Sequence, residues 1–154
     1  MPVLTEARIR EDYCRAAPAL LSALTDYLIV SRRQANDLDR QLVLLIIMLR
    51  SAMARGFADL PSEKVLSGDL DALPTLWTNI RSIADSTSIP RETVRRKVND
   101  LIKDGLVKRS GQLLTITPRA FPDSRFVVDK FIRLAAVSHA TVEKLVENDA
   151  PPGV

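Results

Sequence analysis

The sequence predicts a mainly α fold carrying one small β-hairpin, with long helices at both ends. Three observations predict it. Apolar residues recur at helical spacing through most of the chain. One short stretch, 106–117, alternates instead. Turn-forming residues fall mainly between the periodic segments. The chain has 154 residues, 46% hydrophobic and 27% charged. That suffices for one domain with a real core, or for a smaller domain with dimerisation arms.

Residues 1–35 are expected to form an N-terminal helical arm. Residues 1–16 are mixed polar, with a short helix after Thr5. Pro18 suits the opening of a longer helix to about Arg33. Leu20, Leu21, Leu24, Tyr27 and Leu28 repeat on one face, and Ile29 and Val30 widen it. Arg32 and Arg33 suit a helix C-terminus.

Residues 36–120 are expected to form the central domain. Asn36 or Asp37 caps a helix of about Leu38 to Arg55. Its run Leu42 to Leu49 is apolar on every side, which predicts a helix enclosed all round. A second subunit or the 18–33 helix could supply the outer cover. Residues 56–74 hold Gly56, Pro61, Gly68 and Pro74, and read as a loop with one or two short turns, either a way across the surface or a ligand-facing insertion. Trp77, the single tryptophan, reads as core packing.

A pair of helices follows. The first runs over about Ile80 to Ser86, capped by Thr78 or Asn79, with Ile83 and Ala84 inward. Ser88-Ile89-Pro90 breaks the pattern. The second helix runs over about Arg91 to Asp104, because Val94, Val98, Leu101 and Ile102 share one face. Pro90 suits its start, and Gly105 suits the left-handed position past its end. Leu106 to Arg109 then reads as a strand, Ser110-Gly111 as a tight turn and Gln112 to Thr117 as the return strand. Leu114 and Ile116 alternate there with Leu113, Thr115 and Thr117. Helix, turn, helix and hairpin in this order make a helix-turn-helix with a wing.

Residues 121–149 are expected to form a C-terminal helix, about Arg125 to Glu147, started by Asp123 or Ser124. Val127, Phe131, Leu134, Ala135, Ser138, Val142 and Leu145 make its stripe. Phe126, Ile132, Val137 and Val146 spread the apolar surface wider than a monomer easily covers. That predicts a homodimer formed through this helix and the 18–33 helix. Residues 150–154 read as a loose tail.

The chemistry lies in the second helix of the pair. Four of the seven residues after Pro90 are basic: Arg91, Arg95, Arg96 and Lys97. In a major groove this helix presents Arg91, Glu92, Thr93, Arg96 and Asn99 to base edges. Arg95, Lys97 and Lys103 then serve phosphates, with Lys108 and Arg109 near the wing tip. Glu92 can pair with Arg96 at i,i+4, or accept from a cytosine amino group. Net charge is +3, and the segment 79–125 alone carries +5, leaving −2 elsewhere. Positive charge thus gathers where the motif is.

Ile83-Ala84, the run Ile89 to Arg96, Leu101 and Gly105-Leu106-Val107 resemble the winged helix-turn-helix of bacterial transcriptional regulators, of the broad GntR and MarR types. The resemblance covers about residues 78–117. Pro90 stands where many relatives carry Ser or Thr. The resemblance implies double-stranded DNA as the partner and a twofold dimer, and the single Cys14 fits a cytoplasmic location. The other reading is a winged-helix protein-interaction module. Such modules usually replace the basic face with apolar or acidic residues, and this chain does not.

Other chemistry lacks its signatures. There is no phosphate loop, nucleophile elbow or pair of catalytic acids, which argues against an enzyme. One His (His139) and one Cys (Cys14) do not make a zinc set. No cofactor is expected; a small-molecule effector, on which Trp77 could stack, stays open but unsupported. A single cysteine allows no intrachain disulfide, which fits a reducing compartment. The N-terminus lacks an apolar signal core, and the longest apolar run is too short to span a membrane.

Overall fold

The computed structural model describes residues 2–35 and 37–147. Among them are eight α-helices and one antiparallel pair of strands. The helices are α1 (Pro2–Glu11), α2 (Tyr13–Ala35), α3 (Leu38–Ala52), α4 (Ser62–Ser67), α5 (Ile80–Thr87), α6 (Arg91–Lys103), α7 (Ala120–Asp123) and α8 (Arg125–Glu147). The strands are β1 (Val107–Ser110) and β2 (Leu113–Ile116). No described helix is long and apolar enough to cross a membrane. Contacts divide the chain into two compact units. One is Ser31–Arg125. The other joins the described residues up to Val30 with those from Phe126 onward.

The Ser31–Arg125 unit has a closed core. Val43, Leu44 and Ile47 of α3 meet Ile83 of α5, Val94, Val98 and Leu101 of α6, and Leu114 and Ile116 of β2, all buried. Asp37 caps α3 by accepting the Arg40 backbone N–H at 2.6 Å. The alternative cap, Asn36, lies outside the described residues. Asn79 caps α5, accepting the Ser82 N–H at 2.9 Å. Ser88 then turns the chain with a left-handed φ of 59°, and Ile89 is buried beneath the turn. Helix α6 closes with both bonds of a Schellman motif, Leu106 N–H to Leu101 C=O and Gly105 N–H to Ile102 C=O, each at 3.0 Å. Gly105 takes the left-handed φ of 76° that this end requires.

The hairpin pairs Val107 with Ile116 and Ser110 with Leu113, so its two-residue turn is Gly111-Gln112, one residue later than expected. Gly111, at φ 59°, accepts the left-handed position. Thr78 pairs with Leu114 across the free side of β2, through N···O distances of 3.2 and 2.8 Å. This bridge corrects the reading of Trp77. Thr78 faces the core, so its neighbour in an extended segment faces away, and Trp77 is 42% exposed. Thr115 and Thr117 are buried as well as Leu114 and Ile116, so the predicted alternation fails on β2. Thr117 stays satisfied by donating its hydroxyl to the Gly105 carbonyl at 2.7 Å.

Three further expectations change. The run Leu42 to Leu49 is not enclosed all round, because Leu42 and Leu49 are exposed. The core elements α5, α6 and β2 all meet α3, but they cover only part of its circumference. The 56–74 connection is more than a surface path. It forms a 3-10 turn (Phe57–Asp59) and α4, and sends Val65 and Leu73 into the core. Gly68 ends α4 at φ 74°, so close to Pro122 that a Cβ there would lie 2.8 Å from its ring. The short helix α7 was not predicted, because Pro118 and Pro122 mark a break in sequence.

In the other unit, α2 begins at Tyr13, not at Pro18. The Pro18 ring is exposed and forfeits one backbone bond, and a full turn of helix already precedes it. α1 likewise starts ahead of Thr5. α8 spans the residues its pattern predicts. Among the described residues of this unit, the buried apolar ones are Ala16 and Ala23 of α2 and Val127 and Leu145 of α8. Leu134, Ser138 and Val142 of the predicted stripe are half-buried, and Phe131 and Ala135 are exposed. Tyr27 and Phe131 meet edge to face at 6.5 Å. The predicted 150–154 tail lies outside the described residues.

Candidate nucleic-acid interface

Burial of Val94, Val98 and Leu101 fixes which way α6 faces. Residues half a turn away, Glu92, Arg96, Asn99 and Lys103, are exposed. Arg91 and Arg95 are exposed on one flank, and Thr93 is half-buried on the other. Lys108 and Arg109 are exposed on β1, and Arg109 donates its Nε–H to the Gly111 carbonyl at 2.9 Å. No side chain caps the α6 N-terminus, since Pro90 has none to offer. Its first-turn N–H groups and the positive end of the helix dipole therefore face outward unused.

Two sequence-based assignments need correction. Glu92 does not pair with Arg96. It accepts from Arg95 Nη2 at 2.7 Å, an i,i+3 pair. That hydrogen bond is the main cause holding the Glu92 carboxyl below its ordinary pKa; desolvation opposes it, and the Arg95 and Arg96 charges add to it. The same bond raises the Arg95 guanidinium. Arg96 is left with no ion pair to a described residue. Lys97 does not point outward with the other cations. Its Nζ lies 2.7 Å from Asp37 Oδ2, and its side chain is 16% exposed. At its helical position Lys97 leans toward α3, where the carboxylate that caps that helix receives it. Burial alone would raise the Asp37 carboxyl. The Lys97 hydrogen bond, the Arg40 N–H and both cationic charges outweigh it and hold the carboxyl below its ordinary value.

A second pair, Arg40 Nη2 to Asp104 Oδ2, ties α3 to the end of α6. Together the two pairs hold the middle and the C-terminal end of α6 against α3. Neither was legible in sequence, because the partners are 60 and 64 positions apart. Elsewhere the cations are lightly tied. Arg91 Nη2 is 3.9 Å from Asp85 Oδ1, and Arg81 Nε is 3.8 Å from Asp85 Oδ2. Arg96, Lys103, Lys108 and Arg109 have no carboxylate partner among the described residues. The outward side of α6 and the hairpin thus carries cations that no carboxylate of the unit neutralises. Among the described residues no cluster of His, Cys, Asp and Glu could hold a metal ion. Compared with protein-family models, curated proteins and solved structures, the chain matches none.

Proposed function

We propose that the chain is a sequence-specific, double-stranded-DNA-binding transcriptional regulator of the winged helix-turn-helix kind, acting as a homodimer. Helix α6 enters the major groove and the β1–β2 hairpin is the wing. The observation that carries this reading is the unneutralised cationic side made by Arg96, Lys103, Lys108 and Arg109, together with the uncapped α6 N-terminus. Phosphates suit such a helix end, and an arginine with no intramolecular partner is available to guanine. Arg91, Glu92, Thr93, Arg96 and Asn99 face bases. Arg95, Lys103, Lys108 and Arg109 serve the backbone. Lys97 moves from phosphate contact to positioning, because Asp37 holds it.

The dimer rests on the apolar residues that the α2–α8 unit leaves exposed, and it sets two α6 helices about one DNA turn apart. The test is selection of bound duplexes from a random pool at two salt concentrations. An enriched site with two related halves is expected. Arg96→Ala should cost about 1–3 kcal/mol of specific binding and relax one base position. Lys108→Ala should weaken all duplexes alike and lower the salt slope. Equal loss on selected and random DNA for Arg96→Ala would remove its base-reading role. Trp77 and Leu113, exposed on the outer face of the hairpin, favour a second reading as a protein-interaction surface. Absence of DNA retention at low salt would select it.

A further inference from the structure

The Ser31–Arg125 unit contains a polar cavity of about 430 Å³ between α3, the end of α6 and α7. That size lies in the range of small-molecule sites. Its wall includes Gln34, Arg40, Gln41, Lys103, Arg119 and Ser124. The cations outnumber the carboxylates. Arg40 is engaged by Asp104, and Arg119 Nε by Asp123 at 2.8 Å, while Lys103 has no carboxylate partner among the described residues. The wall therefore carries a net charge of +1.

A second observation is independent of charge. Gln41 is 5% exposed, and its side-chain nitrogen is buried without a hydrogen-bond partner. Nearby, Gln34 donates to the Asp123 carbonyl. A buried polar atom left unpaired costs about 1–3 kcal/mol, and natural cores seldom keep one without a use. A glutamine buried at the position of a core residue of α3, on the wall of a cationic cavity, is a poor choice for packing. It is a suitable one for an oxygen-bearing guest.

We propose that this cavity binds a small organic carboxylate. The carboxylate is balanced by Lys103 and Arg119, and the Gln41 amide, whose nitrogen is closed off from solvent, turns to donate to it. It also competes with Asp104 for Arg40, the residue that ties the end of α6 to α3. A bound carboxylate therefore neutralises Lys103 and loosens the hold on α6. The consequence for DNA rests on the function proposed above; the site itself does not.

The test is calorimetric titration of the full chain, without DNA, with succinate, glutamate and benzoate, using sulfate and chloride at matched ionic strength as inorganic arms. At least one carboxylate should bind saturably with a Kd below about 1 mM, a free energy beyond about −4 kcal/mol. Gln41→Leu keeps the volume and removes the donor. It should weaken binding at least tenfold without lowering the melting temperature, and Arg119→Gln, on the surface, should weaken it likewise. No saturable binding of any carboxylate overturns the proposal. So does binding that both variants leave unchanged, or sulfate binding as tightly as the carboxylates. Because no DNA is present, none of these results bears on the DNA reading. If binding holds, succinate-type ligands should also lower DNA affinity in the wild type and not in Gln41→Leu. Gln41 is outside the DNA-facing residues.

Discussion

The two units use similar apolar residues to different ends. In Ser31–Arg125, the α3 residues Leu44 and Ile47 meet side chains arriving from α5, α6 and β2, and residues as large as leucine disappear from solvent. In the α2–α8 unit two of the four buried apolar residues are alanines, while Leu21, Leu24, Leu28 and Phe131 stay exposed, Phe131 at 60%. The helical stripe is equally clear in both. The difference lies in geometry. A stripe is covered when elements arrive from several directions, and a few long helices leave the flanks of their stripes open. Periodicity therefore reports which face is apolar, and only packing reports whether that face is filled.

The largest expected effects test this contrast directly. Leu101→Ala removes a fully buried side chain from the closed core, and should cost about 2–5 kcal/mol in urea unfolding at any protein concentration. Phe131→Asp with Ile132→Asp should leave that core intact and convert a dimer to a monomer in sedimentation equilibrium. A wild type that sediments as a monomer would break the comparison, leaving the apolar face of α8 without a role in assembly.

Next in size is Gly68→Ala. It forces a left-handed backbone on an L-residue, about 1–2 kcal/mol by itself, and drives a Cβ into Pro122. Thermal unfolding should show the loss. An unchanged melting temperature would mean that α4 is not part of the closed unit's cooperative core.

Asp37→Ala should cost about 0.5–2 kcal/mol, mainly through the lost helix cap. Its pH dependence has a definite sign. The folded carboxyl titrates below the ordinary 3.8, so its stabilisation is whole above that value and is lost as pH falls through the lowered folded value. The variant should therefore lose the extra stability at neutral pH and converge on the wild type in acid. A constant difference down the whole acid limb would mean that packing, and not charge, holds the middle of α6 against α3. Smallest of all is Glu92→Gln. Glu92 and Arg95 are both exposed, so their pair should contribute little stability, and the melting temperature should not move measurably.

The local rules were legible. The mainly α class, the single hairpin, α5, α6 and α8, the break at Ser88–Pro90 and the left-handed Gly105 follow from side-chain spacing, caps and punctuating residues within a few positions of one another. So does the outward face of α6, because burying Val94, Val98 and Leu101 leaves Glu92, Arg96, Asn99 and Lys103 no other side. What the sequence could not supply depends on residues far apart in the chain. The Thr78–Leu114 bridge turned Trp77 outward, although a lone tryptophan beside a core helix reads as buried. The Asp37–Lys97 and Arg40–Asp104 pairs took two cations out of the pool that a charge count treats as free. Arg95, and not Arg96, took Glu92, because i,i+3 and i,i+4 are both within reach and side-chain placement chose between them. The cavity around Gln41 exists only where α3, α6 and α7 converge. Sequence by itself thus determined that α5, α6 and α8 are helical and which face of each is apolar, since those are short-range properties of the backbone and its side-chain period. Tertiary structure decided which charges are spent on holding α6 and which remain to meet a partner, because a charge is neutralised by what lies within about 4 Å in space, wherever it stands in the chain.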